Sequence, residues 1–177
     1  YSQYPDVSTN NTDSTIHPLR ELTLSELSPV AVEQIVALCP LLQAFRFIDS
    51  FPPGLLRPIT RAPCLRSFTL DSANNLLIQD LEALNSLCVL EISYIQPGLE
   101  DAVVELLKRC PDLEHLSLHF DYILTQTLFS SLLDHCSTVQ YLSLEGKNHS
   151  VEDEEYDSRL ELVRERCPRI SYLTLDF

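Results

Sequence analysis

The chain has 177 residues, 45% of them hydrophobic, with a formal net charge of −14 and a pI near 4.5. That is enough apolar material for one domain with a real core, and no run approaches the length of a membrane span. The acidic balance disfavours nucleic acid and anionic membranes, which need basic patches, and suits a basic protein partner.

Residues 1–17 are polar and follow neither the helical nor the strand period, so they read as a polar N-terminal tail. The chain opens at Tyr1, contains no Met and shows no apolar signal segment. The expectation is a processed chain or a piece of a longer one. Residues 18–177 read as a single repeat domain. Seven apolar rows follow one another: Leu19-Arg-Glu-Leu22-Thr-Leu24, Leu42-Gln-Ala-Phe45-Arg-Phe47, Leu65-Arg-Ser-Phe68-Thr-Leu70, Leu87-Cys-Val-Leu90-Glu-Ile92, Leu113-Glu-His-Leu116-Ser-Leu118, Val139-Gln-Tyr-Leu142-Ser-Leu144 and Ile170-Ser-Tyr-Leu173-Thr-Leu175. Their first positions are separated by 23, 23, 22, 26, 26 and 31 residues. The alternation at the end of each row predicts a short strand.

Helical spacing follows each row. Val32, Ile35, Val36 and Cys39 predict the first helix, with Ser28 as cap and Pro29 at its first position. Leu55, Leu56, Ile59 and Ala62 predict a short second one interrupted by Pro58. Leu77, Leu81 and Leu84 predict a third. Pro97-Gly98 is a turn before a fourth, which carries Val103, Leu106, Leu107 and Cys110. Phe129, Leu132, Leu133 and Cys136 mark the fifth, and Leu160, Val163 and Cys167 the sixth. Proline follows Cys39, Ala62, Cys110 and Cys167 and ends a helix at each. The longest step holds an acidic stretch, Glu152 to Asp157, that reads as a solvated loop insertion or as a contact for a basic partner. No helix follows the seventh row to cover Leu173 and Leu175, so a trimmed chain, a partner or a second copy is expected at that end, with dimerisation as one outcome.

A row of this form at a period in the twenties resembles the leucine-rich repeat. Cys110-Pro111-Asp112-Leu113-Glu114-His115-Leu116-Ser117-Leu118 resembles the cysteine-containing repeats of F-box proteins. Cys39-Pro40-Leu41-Leu42 and Cys167-Pro168-Arg169-Ile170 repeat the match. The irregular repeat lengths look most like the F-box-associated solenoids abundant in fungi. The resemblance covers residues 19–177 and implies an α/β solenoid, a horseshoe arc like that of ribonuclease inhibitor. About seven parallel strands would line its concave face and helices its convex face. It implies a substrate-recognition role in a cullin-type ubiquitin ligase, with the F-box itself in a longer parent chain.

Four cysteines, Cys39, Cys110, Cys136 and Cys167, occupy one repeat slot that Ala62 and Leu84 fill elsewhere. They read as reduced core residues, because neighbouring repeats lie about a helix diameter apart, farther than a disulfide spans. Cys64 and Cys88 are off-register. This usage points to the cytoplasm or nucleus. The sequons at Asn10 and Asn148 point the other way, to a secreted protein that could carry N-glycans there.

Between the inward leucines, three columns of residues are expected in the concavity. The richest positions are His115, Tyr141 and Tyr172 in the first column, Arg46 in the second, and His119, Glu145 and Asp176 in the third. Tyrosine offers contact area at low entropic cost with a hydrogen-bonding tip, so these residues form the candidate binding patch. The plain alternative is a self-stacking, solvated row. His119, Glu145 and Asp176 are metal-ligand types, but a surface histidine–carboxylate pair is commoner than a metal site, and no CxxC pair is present. No nucleophile and base share a pocket-forming pattern. The expectation is a protein-binding solenoid with neither catalysis, cofactor nor metal, its partner a protein rather than nucleic acid or membrane. Two alternatives stay open: a secreted defence, toxin or glycan-binding repeat protein, and an inhibitor-type solenoid that binds a basic enzyme.

Overall fold

The computed structural model describes residues 19–25, 29–48, 56–59, 61–73, 76–82, 84–147 and 153–176. The tail 1–17, the Ser28 cap and both sequon asparagines, Asn10 and Asn148, lie outside these described residues.

Every apolar row folds as a strand. They are β1 (Glu21–Leu24), β2 (Ala44–Phe47), β3 (Ser67–Leu70), β4 (Val89–Ile95), β5 (His115–Phe120), β6 (Tyr141–Glu145) and β7 (Tyr172–Asp176). Between them run α1 (Pro29–Leu38), α2 (Leu56–Ile59), α3 (Ile78–Glu82), α4 (Glu100–Lys108), α5 (Gln126–Leu133) and α6 (Asp153–Arg166). The strands form one open seven-stranded sheet in sequence order β1-β2-β3-β4-β5-β6-β7. All six pairings are parallel. The result is an α/β fold compatible with a solenoid-like arc.

Equivalent positions pair throughout: Glu21, Ala44, Ser67, Val89, His115, Tyr141 and Tyr172 form one continuous line. The changing step length leaves this line intact, because a slip of one residue would turn each inward pair out of the core. Phe45, Phe47, Phe68, Leu70, Leu90, Ile92, Leu116, Leu118, Leu142 and Leu144 are all buried to 1% exposure or less. They join Val103, Leu106, Leu107, Phe129, Leu132 and Leu133 from α4 and α5 in a single core. Burying each such side chain contributes about 1.5–3 kcal/mol. Before each strand, one carbonyl receives the backbone N–H groups of the next repeat, as Arg20 does from Gln43 and Ala44 and Glu114 from Gln140 and Tyr141. The sheet therefore extends its pairing into the turns.

Helix ends follow local chemistry. α1 begins at Pro29, and α1 and α6 stop just before Cys39-Pro40 and Cys167-Pro168. Thr125 caps α5 by accepting from Leu128 N at 3.3 Å.

Two expectations need correction. Leu77 does not face the core: α3 begins one residue later, Leu77 is 45% exposed, and Leu76 is buried in its place. The Leu77 N–H donates to buried Asp80 Oδ2 at 3.2 Å, a local cap that fixes this start. The acidic stretch is not a loop throughout, because α6 starts at Asp153 and so takes Asp153, Glu154, Glu155 and Asp157 into its first turns. The four slot cysteines are buried and unbridged, as the repeat slot predicts. The Cys167 thiol and burial hold Cys136 well above the ordinary thiol range.

No described helix is long and apolar enough to cross a membrane.

Candidate functional site

All the core leucines point to the helix-covered face, which leaves the other face of the sheet open. Parallel register on β5, β6 and β7 brings His115, Tyr141 and Tyr172 side by side there. The His115 and Tyr141 rings stack with centroids 4.0 Å apart and planes 9° from parallel. Tyr141 and Tyr172 stack at 4.4 Å and 4°. Each such pair contributes about 0.5–1.5 kcal/mol beyond its buried area, so the row is held in one orientation before any partner arrives. Tyr172 is 51% exposed.

Carboxylates surround the ladder. Glu91 on β4 reaches His115 Nε2 at 2.9 Å through one oxygen and accepts from Thr69 Oγ1 at 3.3 Å through the other. The Thr69 proton is thus committed to a carboxylate, not to a histidine base. Glu145 accepts from the buried Ser143 hydroxyl at 3.2 Å. Partial desolvation, the Tyr172 phenol, and the charges of Glu91 and Glu145 together push the Tyr141 phenol above its ordinary range.

Arg46, expected as a free contact, is engaged at the other end of the sheet. Its guanidinium grips both oxygens of Asp71, at 3.0 and 3.1 Å. His119, Glu145 and Asp176 take their expected places in register on β5, β6 and β7. Among the described residues, no three His, Cys, Asp or Glu side chains come together to hold a metal ion.

Two site residues escape the column analysis. Tyr94 sits where β4 bulges between Ile92 and Ile95, with φ at +59°. The extra residue swings its ring over His119, with centroids 4.8 Å apart. The signal was present as a three-residue step between inward positions, Ile92 to Ile95, where β5 takes two, Leu118 to Phe120. Glu91 stands between Leu90 and Ile92 in its row, and its pairing with His115 is not legible there, because alternation places backbone positions and not the reach of a side chain. At the rim beyond Tyr94, Asp121 accepts from Lys147 at 2.9 Å and from Gln96 at 3.3 Å. Both bonds hold its carboxyl below the usual range.

Two clefts of about 220 and 320 Å³ lie away from this face. One is lined by Arg66, Asn85 and Ser86 among others, the second by Leu77, Ile78 and Pro97 among others. Neither places a nucleophile beside a base.

Comparison with protein-family models and with curated proteins found no match for this chain.

Proposed function

We propose that the chain is the recognition arc of a leucine-rich repeat protein, a non-catalytic solenoid that captures a protein partner on its concave sheet face. The stacked ladder of His115, Tyr141 and Tyr172 carries this reading. It is a rigid, amphipathic surface on a face that no described helix covers, and such aromatic groups dominate binding energy at protein interfaces. The repeat row and the Cys-Pro stops support a role like that of the solenoid in F-box adapters, which select the substrate of a cullin-type ligase. The core placement of four cysteines supports a cytoplasmic or nuclear setting.

The experiment is quantitative capture from an extract of the source cells, with wild-type chain and the Y141A/Y172A double variant side by side. The variant should lose its principal partners about tenfold or more, a cost on the order of 1.4 kcal/mol or above. Its circular dichroism should stay near wild type, because both side chains lie outside the core, and its urea midpoint should fall only by the lost stacking, about 1–3 kcal/mol for the two ring pairs. Undiminished capture by the variant sinks the reading.

A further inference from the structure

β7 stands at one edge of the sheet, and among the described residues no strand pairs with its outer side. Its inner side is taken: Tyr172 N–H donates to Gln140 O at 3.1 Å, and Asp176 O accepts from Gly146 N at 2.7 Å. Backbone direction alternates along a strand, so Leu173 and Leu175 turn their N–H and C=O groups outward. Their side chains are short of cover too. Leu142 and Leu144, their register partners on β6, are fully buried, whereas Leu173 and Leu175 are only partly so. An open edge backed by apolar side chains is a template for another strand.

Register and charge select that strand. Thr174 is the middle residue of β7. A second β7 laid antiparallel about Thr174 sets Leu173 against the other copy's Leu175, and Tyr172 against its Asp176. Both leucine pairs fall where facing residues exchange N–H and C=O, and every leucine stays on the helix-covered face. Tyr172 and Asp176 fall at the closer, non-hydrogen-bonded positions of the open face, where a phenol can donate to a carboxylate. No like charges face each other. The sequence of α6 is acidic at its start, from Asp153 to Asp157, and carries Arg164 and Arg166 in its last turn. An antiparallel copy turns the acidic end of one α6 toward the basic end of the other, whereas a parallel copy sets like ends together.

We propose that two copies of this chain join edge to edge through β7, antiparallel about Thr174, in a two-fold dimer whose sheets form one continuous surface. The two aromatic ladders then share one open face across the dyad. This inference does not rest on the protein-binding reading above.

Sedimentation equilibrium of the full chain, kept reduced at micromolar concentration, should give a mass that rises with loading from 20.1 kDa toward twice that value. Thr174→Cys sets two thiols across the dyad at a Cα separation of about 4.5 Å, within disulfide reach. Mild oxidation should link this variant into a dimer, above the background of wild type with its part-exposed Cys64 and Cys88. Tyr172→Cys is the control: its two copies lie about 14 Å apart along the strands and should not link. Thr174→Lys opposes two ammonium groups on the open face and should weaken the dimer about fivefold, with circular dichroism unchanged. A wild-type mass fixed at 20.1 kDa overturns the proposal. So does a dimer that Thr174→Lys leaves unweakened, or one that Tyr172→Cys links as readily as Thr174→Cys, since association then uses another face or register. A monomer that still captures a protein through the ladder sinks the dimer alone. A dimer whose capture ignores Y141A/Y172A sinks the binding reading alone.

Discussion

Gly98 has φ at +94° with nothing within 4 Å of where a Cβ would stand. A side chain there would meet no atom, so substitution costs backbone strain alone. Gly98→Ala should lower stability by about 1–2 kcal/mol, read as a fall in urea midpoint at constant slope. An unchanged midpoint would mean that the turn relaxes out of the left-handed region. Tyr94 tolerates the same region without being glycine, with φ at +59°. Such a conformation costs on the order of 1–3 kcal/mol and persists where surrounding contacts over-determine it. Here the bulge and the His119 contact supply them. The contrast marks what can be read from residues alone. Pro97-Gly98 announces a turn by composition. Tyr94 looks like an ordinary strand residue, and only the broken alternation around it betrays the bulge.

Among the elements, α4 and α5 stand out in the sequence because apolar residues repeat at three and four residues, and the structure buries that set, Val103, Leu106 and Leu107 on α4 and Phe129, Leu132 and Leu133 on α5. α3 and α6 were harder. Five residues of α3 are too few to show a period, so Leu77 was placed on a face that the helix does not reach. The acidic start of α6 suits a loop and a first helical turn equally, and only the fold decides between them. α5 and α6 meet through a guanidinium–ring contact. Phe129, fully buried, lies under the Arg159 guanidinium at 5.3 Å, and Arg159 also donates to Leu124 O at 2.9 Å. Phe129→Ala should therefore cost about 3–5 kcal/mol, with part of the loss from Arg159. A double-mutant cycle with Arg159→Met would show the shared part, and strictly additive effects would refute the coupling.

Among the described residues, strands pair with the next strand and helices with the next helix, and no strand reaches past its neighbour in the sheet. Stability is then a sum of repeat and interface contributions and not one all-or-none quantity. Phe45→Ala, near the start of the sheet, should strip hydrogen-exchange protection from β1 to β3. Amides of β5 and β6 should keep theirs, and a uniform loss along the sheet would show a single cooperative unit. The architecture and open-face columns were legible for the same reason: a strand has period two, and a repeat needs only to match the repeat beside it. The chemistry of the site was legible as far as residue type. Its pairings were not, because Glu91 with His115 and Arg46 with Asp71 depend on side chains reaching across strands.

The unbroken line from Glu21 to Tyr172 also fixes how the molecule would respond to tension. Pulled from its two ends, a stack of this kind has no long-range clamp to rupture first. It would yield as a succession of small peeling events, each releasing one strand-and-helix length, and on slack the remaining repeats would template the return of those lost.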